Sequence, residues 1–223
     1  MTQGKKPAVV FGTGGFAEVV DFYLKVDSSY EVVAFAATED AIKSDSCFGR
    51  PLVPFETLEQ SYPPATHEMF IAVGYAKLNK LRERFCTEAR AKGYTLLNYV
   101  CSKATHWGDT ELGDNVFIFE DNTIQSFVSI GSGAILWSGN HIGHHSSIGS
   151  YCFITSHVVV SGFCSIGDRT FIGVNAAIAD STKVAEDNLI GAGAVIERDT
   201  APGDAYLKER LKKYPKGSDW FFR

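Results

Sequence analysis

The chain has 223 residues, 45% of them hydrophobic and 21% charged, which fits a globular protein with room for one large or two modest domains. Its formal net charge of −5 argues against a nucleic-acid binder, and no apolar run approaches the ~20 residues needed to cross a bilayer. The opening MTQGKKPAVV lacks the apolar core of a signal peptide. The five cysteines, Cys47, Cys86, Cys101, Cys152 and Cys164, are odd in number and show no close-paired metal spacing, so a reduced, cytoplasmic location is expected.

In chain order, PAVVF (7–11) predicts a short buried strand running into GTGGFAEVVDFYLK, where Gly12, Gly14 and Gly15 open an amphipathic helix. EVVAFAA (31–37) predicts a second strand and HEMFIAVG (67–74) a third. KLNKLRERFCTEARAKG (77–93) predicts a helix with a glycine stop. Alternating βαβαβ elements imply a small parallel, Rossmann-like sheet over residues 1–100. A glycine turn between a first strand and a helix N-terminus is where such sheets bind phosphate, because unpaired N–H groups and the helix dipole favour an anion there. The spacing departs from the full G-x-G-x-x-G in that Ala17 takes the third place, which that pattern tolerates. A purely structural tight turn is the alternative. Gly12, Gly14, Gly15 and Phe16, with Gly74 at the end of the third strand, are the candidate substrate-binding residues, and the domain boundary is expected near Asn98 to Ser102.

From Leu112 through Ile118, Ile124 and Ile130 to Ile190 and Ile196, an aliphatic residue stands at every sixth position without a miss. Four residues after each comes a mostly small one, among them Ala134, Ser146, Cys152, Cys164 and Ala176. A period of six is the repeat of a parallel β-helix, each hexapeptide being a short strand plus a corner. The aliphatic residue fills the interior and the small one lets the chain turn inside it. Glycine at the second position (Gly113, Gly131, Gly143, Gly149, Gly167, Gly173, Gly191) is expected to serve a corner of unusual φ/ψ. Three sides close a coil of about 18 residues, and coils stack about 4.8 Å apart, so residues 18 apart lie on top of one another. The repeat predicts a β-helical domain over residues 101–200, with residues 201–223 as a C-terminal cap or tail.

One coil carries GNHIGHHSSIG (139–149), which packs His141, His144 and His145 into five positions. His144 takes the third place of its hexapeptide, on the outer surface near a corner. Eighteen residues on comes Gly162, whose missing side chain leaves its backbone N–H open. An imidazole one rung below an exposed N–H is a workable pair: the base takes a proton from a nucleophile while the N–H holds the developing oxyanion. Solvated surface histidines and a metal site are the other readings. A zinc site would draw on His106, His141 and His145, but His106 and His141 are 35 residues apart, one short of two full coils.

The glycine turn, the IAVG strand end, GHHS (143–146), IGVN (172–175) and IGAGAV (190–195) together make the chain similar to the bacterial nucleotide-sugar acetyltransferases of the bacillosamine, perosamine and sialic-acid pathways. The resemblance spans about residues 7–198. It implies a left-handed β-helix, a homotrimer, and acetyl-CoA lying between the helices of neighbouring subunits; no metal is expected, because the coil arithmetic puts His144 beneath Gly162 rather than beneath another ligand. It assigns the base to His144, with His141 and His145 beside it, and the oxyanion-holding amide to Gly162. Acetyl-CoA contacts fall on Phe153, Val174 and Ala192, of which Val174 and Ala192 are 18 apart and hence stacked. The implied activity is acetyl transfer from acetyl-CoA to the amine of a nucleotide-linked amino-deoxy sugar, for surface polysaccharide precursors. A sugar O-acetyltransferase, a β-helical zinc enzyme of the carbonic-anhydrase kind, and a non-catalytic β-helix used as an assembly surface are the alternatives.

Three features depart from that family. Relatives carry an acidic residue directly after the catalytic histidine, whereas His145 stands here, and the sequence around the cluster offers Ser and Asn but no nearby carboxylate. Relatives close the second strand with paired acids, whereas Ala36 and Ala37 stand here, followed by Thr38, Glu39 and Asp40. The tail APGDAYLKERLKKYPKGSDWFFR replaces the usual ending; its Lys208, Arg210, Lys212, Lys213 and Lys216 would either meet CoA phosphates or belong to an amphipathic cap on the open end of the helix.

Overall fold

The computed structural model describes residues 5–208 and Pro215. The front half holds strands β1 (Lys6–Phe11), β2 (Tyr30–Ala37), β3 (Ser46–Cys47), β4 (Arg50–Pro54) and β5 (Glu68–Ile71), with helices α1 (Gly15–Asp27) and α2 (Lys80–Ala91). They form one sheet in the order β3-β4-β2-β1-β5. β1 is parallel to β2 and β5, β2 is parallel to β4, and β3 pairs antiparallel with β4. The sequence pattern does not predict the hairpin β3–β4, because RPLVP carries two prolines, and a proline-punctuated run at a sheet edge reads as loop.

α2 begins at Lys80, three residues later than the pattern predicts. Lys77, Leu78 and Asn79 have φ of 53°, 50° and 64°, a left-handed turn that non-glycine residues adopt at a cost of roughly 1–2 kcal/mol each. Tertiary bonds hold it there. Asn79 is fully buried, and its Nδ2 donates to the Arg169 carbonyl at 2.8 Å while its Oδ1 accepts from Arg82 at 3.1 Å. The helix stops as expected at Gly93, whose φ is 90°.

The repeat region is a parallel β-helix. Each hexapeptide from Leu112 to Ile196 contributes a two-residue strand ending on its aliphatic residue, and the strands stack into three parallel sheets. Partners lie 18 residues apart on every side, for example Ile130 with Ile148, Leu136 with Ile154 and Ile142 with Val160. The aliphatic column and the small-residue slot, with Ala134, Cys152, Cys164 and Ala176, form one buried core. The hexapeptide period and the three parallel sheets are consistent with the left-handed β-helix that the resemblance implies. We call the sides first (Leu112, Ile130, Ile148), second (Ile118, Leu136, Ile154) and third (Ile124, Ile142, Val160), in chain order.

The reason expected for the second-position glycines is corrected by the structure. Positive φ falls two residues later, at the fourth position: Asn115, Phe127, His145, Tyr151, Phe163 and Arg169 have φ of 55–63°. The glycines are needed for close stacking instead. A Cβ on Gly131 would lie 2.5 Å from the Ser150 nitrogen, and one on Gly143 would lie 2.5 Å from the Ser161 carbonyl carbon.

The front half packs on the second side. Outward-facing Phe117, Ile135 and Phe153 share a buried cluster with Ala17, Val20 and Leu24 of α1. Polar bonds close the neighbouring corner between the first and second sides: the Ile71 N–H donates to Asn115 Oδ1 at 2.7 Å, and Arg90 pairs with Asp114. The fully buried Arg82 donates to the carbonyls of Val73 and Gly74 just after β5 and of Gly133, Tyr151 and Cys152 from two coils. Burial pushes its pKa down to about 10, which leaves it charged at neutral pH. Of the tail, Ala205–Tyr206 adds a last strand to the second side; Arg210, Lys212, Lys213 and Lys216 lie outside the described residues.

Candidate active site

His144 lies at the corner between the third and first sides. Its N–H donates to Gln125 Oε1 at 2.8 Å, which anchors the backbone to the coil below. A Cβ added to Gly162 would sit 2.9 Å from His144 Cε1 and 3.1 Å from Nε2, so the imidazole lies against the glycine's Cα and an added side chain would push the ring aside. The Gly162 carbonyl accepts from the Ser181 N–H at 2.9 Å, and the Gly162 N–H has no acceptor among the described residues. The ring nitrogens Nδ1 of His144 and His145 are 3.1 Å apart. His145 stands between Phe127, at 4.6 Å between ring centroids, and Phe163, at 4.9 Å and 20°. His144 meets Phe163 edge-on at 4.9 Å and 87°.

Two features of this corner lie outside the sequence reading, although the coil arithmetic contains both. Phe127, His145 and Phe163 are 18 apart and form an aromatic ladder. Asp180 lies a further 18 residues past Gly162, and its Oδ1 is 3.2 Å from the position of an added Gly162 Cβ. The expectation that no carboxylate lies near the cluster is therefore corrected.

The other histidines are placed apart from this pair. His141 occupies a strand of the third side, paired with Thr123 and Val159, and among the described residues its ring bonds to neither His144 nor His145. His106 is exposed and contacts the Trp107 carbonyl at 3.4 Å. Among the described residues, no group of three or more His, Cys, Asp or Glu side chains is gathered as a metal would require; His106, His141 and His145 are not brought together.

A second site candidate lies in the front half. β1 sits between β2 and β5, so the chain passes from β1 to one side and later adds β5 on the other, and the crevice beyond the carboxyl ends of strands at such a reversal is where open α/β sheets take ligands. Gly12 (φ 133°) is required sterically, because a Cβ there would be 2.8 Å from the Ala72 carbonyl oxygen. Gly14, Gly15 and Gly74 are different: a Cβ at any of them meets nothing within 4 Å, so open space lies before them. Gly14 caps α1 without a side-chain bond. The N–H groups of Gly15 and Phe16 have no acceptor among the described residues, and they offer the helix's positive end to an anion. Phe16 rests 6.0 Å from the Phe117 ring and 6.2 Å from Trp137, and Tyr75 stands 5.2 Å from both Phe153 and Phe171. The crevice is thus floored by the second side of the β-helix.

Phe153 is only 4% exposed, stacked on Phe171 at 11° and covered by Tyr75. Its ring packs under the front half. Val174 and Ala192 are exposed at the corner between the second and third sides, one above the other through the pairing of Ile172 with Ile190. In a triangular coil the corner bearing His144 is opposite the second side, where the crevice lies. The glycine turn and His144 therefore lie on different parts of the coil's perimeter.

With that geometry in hand, the comparisons are specific. The bacterial transferase hexapeptide (six repeats) matches residues 163–198. The acetyltransferase domain of PglB from Neisseria gonorrhoeae FA1090 superposes with a TM-score of 0.81 at 24% identity, covering 92% of this chain and 97% of that one. PerB from Caulobacter crescentus, solved with CoA and GDP-perosamine, superposes with a TM-score of 0.81 at 26% identity over 91% of this chain and 94% of PerB. This chain carries the bacterial transferase hexapeptide and the fold of the nucleotide-sugar acetyltransferases. The PglB domain has also been solved with acetyl coenzyme A. No curated protein sequence matches the chain.

Proposed function

We propose that the protein is an acetyl-CoA-dependent N-acetyltransferase acting on the amino group of a nucleotide-linked amino-deoxy sugar, in the making of surface-glycan precursors in the cytoplasm. The observation that carries this reading is the His144 imidazole lying against Gly162, with an unpaired N–H at that glycine, in a chain that shares the fold of PerB over nine-tenths of its length. The sugar amine attacks the thioester carbonyl, and His144 Nε2 takes the amine proton. The Gly162 N–H holds the oxyanion, and the intermediate collapses with the CoA thiolate leaving and the proton returning from His144 to it. A hydroxyl nucleophile would use the same groups; among the described residues no carboxylate pairs with His144 to strengthen it as a base, which favours the amine.

The reading divides the chain into a nucleotide-binding, Rossmann-like unit (1–100), a left-handed β-helical catalytic unit (101–200) and a tail (201–223). It also makes the active assembly a homotrimer, since crevice and base lie on opposite parts of one chain, and a cyclic trimer brings the crevice of one subunit to the base of the next. Val174 and Ala192 are the acetyl-CoA contacts in the intervening groove.

The test follows thiol release from acetyl-CoA against amino sugars linked to UDP, dTDP and GDP. Release with at least one of them, retained after exhaustive chelation, is the expected result. Release only with hydroxyl acceptors would move the assignment to O-acetylation; activity lost on chelation and restored by zinc would replace the mechanism.

A second outcome tests the shared site. Gly15→Trp should raise the KM for the sugar nucleotide at least tenfold and leave acetyl-CoA binding unchanged, because the side chain fills the space before the helix N-terminus. Subunits of Gly15→Trp mixed and reassembled with subunits of His144→Asn should regain activity that neither has alone. No recovery from well-folded mixed assemblies would sink the cross-subunit arrangement.

A further inference from the structure

We infer that His145 is a positioning residue: its neutral imidazole accepts a hydrogen bond at Nδ1 from His144 and thereby holds His144 in the tautomer whose bare Nε2 faces Gly162. The catalytic consequence rests on the proposed acetyl transfer, whereas the tautomer itself does not.

The constraint comes from two nitrogens 3.1 Å apart. A neutral imidazole carries its proton on one nitrogen only. At this separation one Nδ1 must donate and the other accept, since two lone pairs or two protons would repel. Two arrangements remain. Either His144 donates from Nδ1 and keeps Nε2 as a lone pair, or His145 donates and His144 carries its proton on Nε2. In the second arrangement the Nε2 proton points at the Gly162 contact, has no hydrogen-bond acceptor among the described residues, and leaves His144 unable to act as a base. In the first, proton uptake at Nε2 turns the Nδ1–H···Nδ1 bond into a charge-assisted one, which is roughly twice as strong as a neutral bond.

The acceptor is also fixed in direction. His145 occupies the left-handed fourth position of its hexapeptide, with φ 58°, and its ring is held between Phe127 and Phe163. Neither neighbour in the ladder has a polar side-chain atom to compete for Nδ1, and both backbone N–H groups are engaged elsewhere. The only carboxylate placed near this corner by the contacts of Gly162 is Asp180, whose Oδ2 accepts from the Ser181 hydroxyl at 2.9 Å. It forms no hydrogen bond with either imidazole. The partner that sets the His144 tautomer is therefore an uncharged ring in an aromatic stack.

The experiment is nitrogen NMR of the intact protein labelled with ¹⁵N-histidine, at alkaline pH, on wild type, His145→Phe and His145→Gln. The phenylalanine preserves the ladder and removes the acceptor; the glutamine supplies a carbonyl oxygen that can accept. The expected wild-type spectrum assigns His144 as the Nδ1–H form and His145 as the Nε2–H form. His145→Phe should release His144 to the Nε2–H form that free histidine prefers and lower kcat about 10- to 100-fold with little change in the KM for acetyl-CoA. His145→Gln should restore the Nδ1–H form and most of the rate. An Nε2–H His144 in wild type, or an Nδ1–H His144 that persists in a folded His145→Phe protein, overturns the inference. If the tautomers behave as expected while no nucleotide amino sugar supports thiol release, the positioning role stands and the proposed function fails.

Discussion

His144→Asn is expected to lower turnover by about 10²- to 10⁴-fold, the range that general-base assistance contributes, while CoA binding stays near normal. The asparagine keeps a polar side chain of similar reach beneath Gly162, but its amide cannot take a proton. On the proposed reading the effect falls in kcat, because the ring would meet the reacting groups rather than the exposed Val174 and Ala192 surface. His141→Asn should do much less, since His141 sits on a strand of the third side without a hydrogen bond to the His144–His145 pair. Steady-state kinetics together with calorimetric titration of CoA separate the two effects. Near-full activity in His144→Asn would show that the amine enters already neutral or that another group is the base, and the double variant with His141→Asn would tell these apart.

Arg82→Met is expected to cost about 3–5 kcal/mol of stability, the largest loss from any single side chain in the seam between the two halves. Methionine approximates the volume of the aliphatic stem, so little cavity is left, but the carbonyls of Val73, Gly74, Gly133 and Tyr151 and Asn79 Oδ1 lose their donor, while the Cys152 carbonyl keeps the Ile135 N–H. Each is buried or partly buried, and a buried acceptor without a partner costs about 1–3 kcal/mol. The left-handed turn at Lys77–Asn79 should loosen with it, because Asn79 is held partly by Arg82. Guanidinium denaturation at matched protein concentration measures the loss, since the proposed assembly would make apparent stability depend on concentration. A change below about 1 kcal/mol would mean that water or a rearranged chain satisfies the carbonyls. Arg82→Lys should fall between, since an ammonium has three donors where the guanidinium has five.

The β-helix was legible because its interior admits one aliphatic residue per hexapeptide, and a strict repeat of six transfers directly into three sides and an 18-residue register. The same arithmetic placed Gly162 over His144 and Val174 under Ala192, and it would also have disclosed the ladder Phe127–His145–Phe163 and the approach of Asp180. The predicted strands β1, β2 and β5 and helix α1 were legible from apolar runs and a glycine turn. Other features were not. A fourth-position residue such as His145 or Phe163 adopts positive φ because the coil must turn there, whatever its side chain, so composition gives no sign of it.

The sequence by itself thus determined the two kinds of architecture, the coil register and the stacking of His144 with Gly162, because these depend on local periodicity. Only the tertiary structure decided which side of the β-helix the front half covers, since outward rows on all three sides look alike until one is buried. That choice committed Phe153 to packing and made Arg82 a fully buried cation bonded only to neutral acceptors. It also bent Lys77–Asn79 into a left-handed turn and set the crevice on the side opposite His144. Each of these rests on contacts between residues tens of positions apart, whose energies outweigh the local preferences that a sequence pattern records.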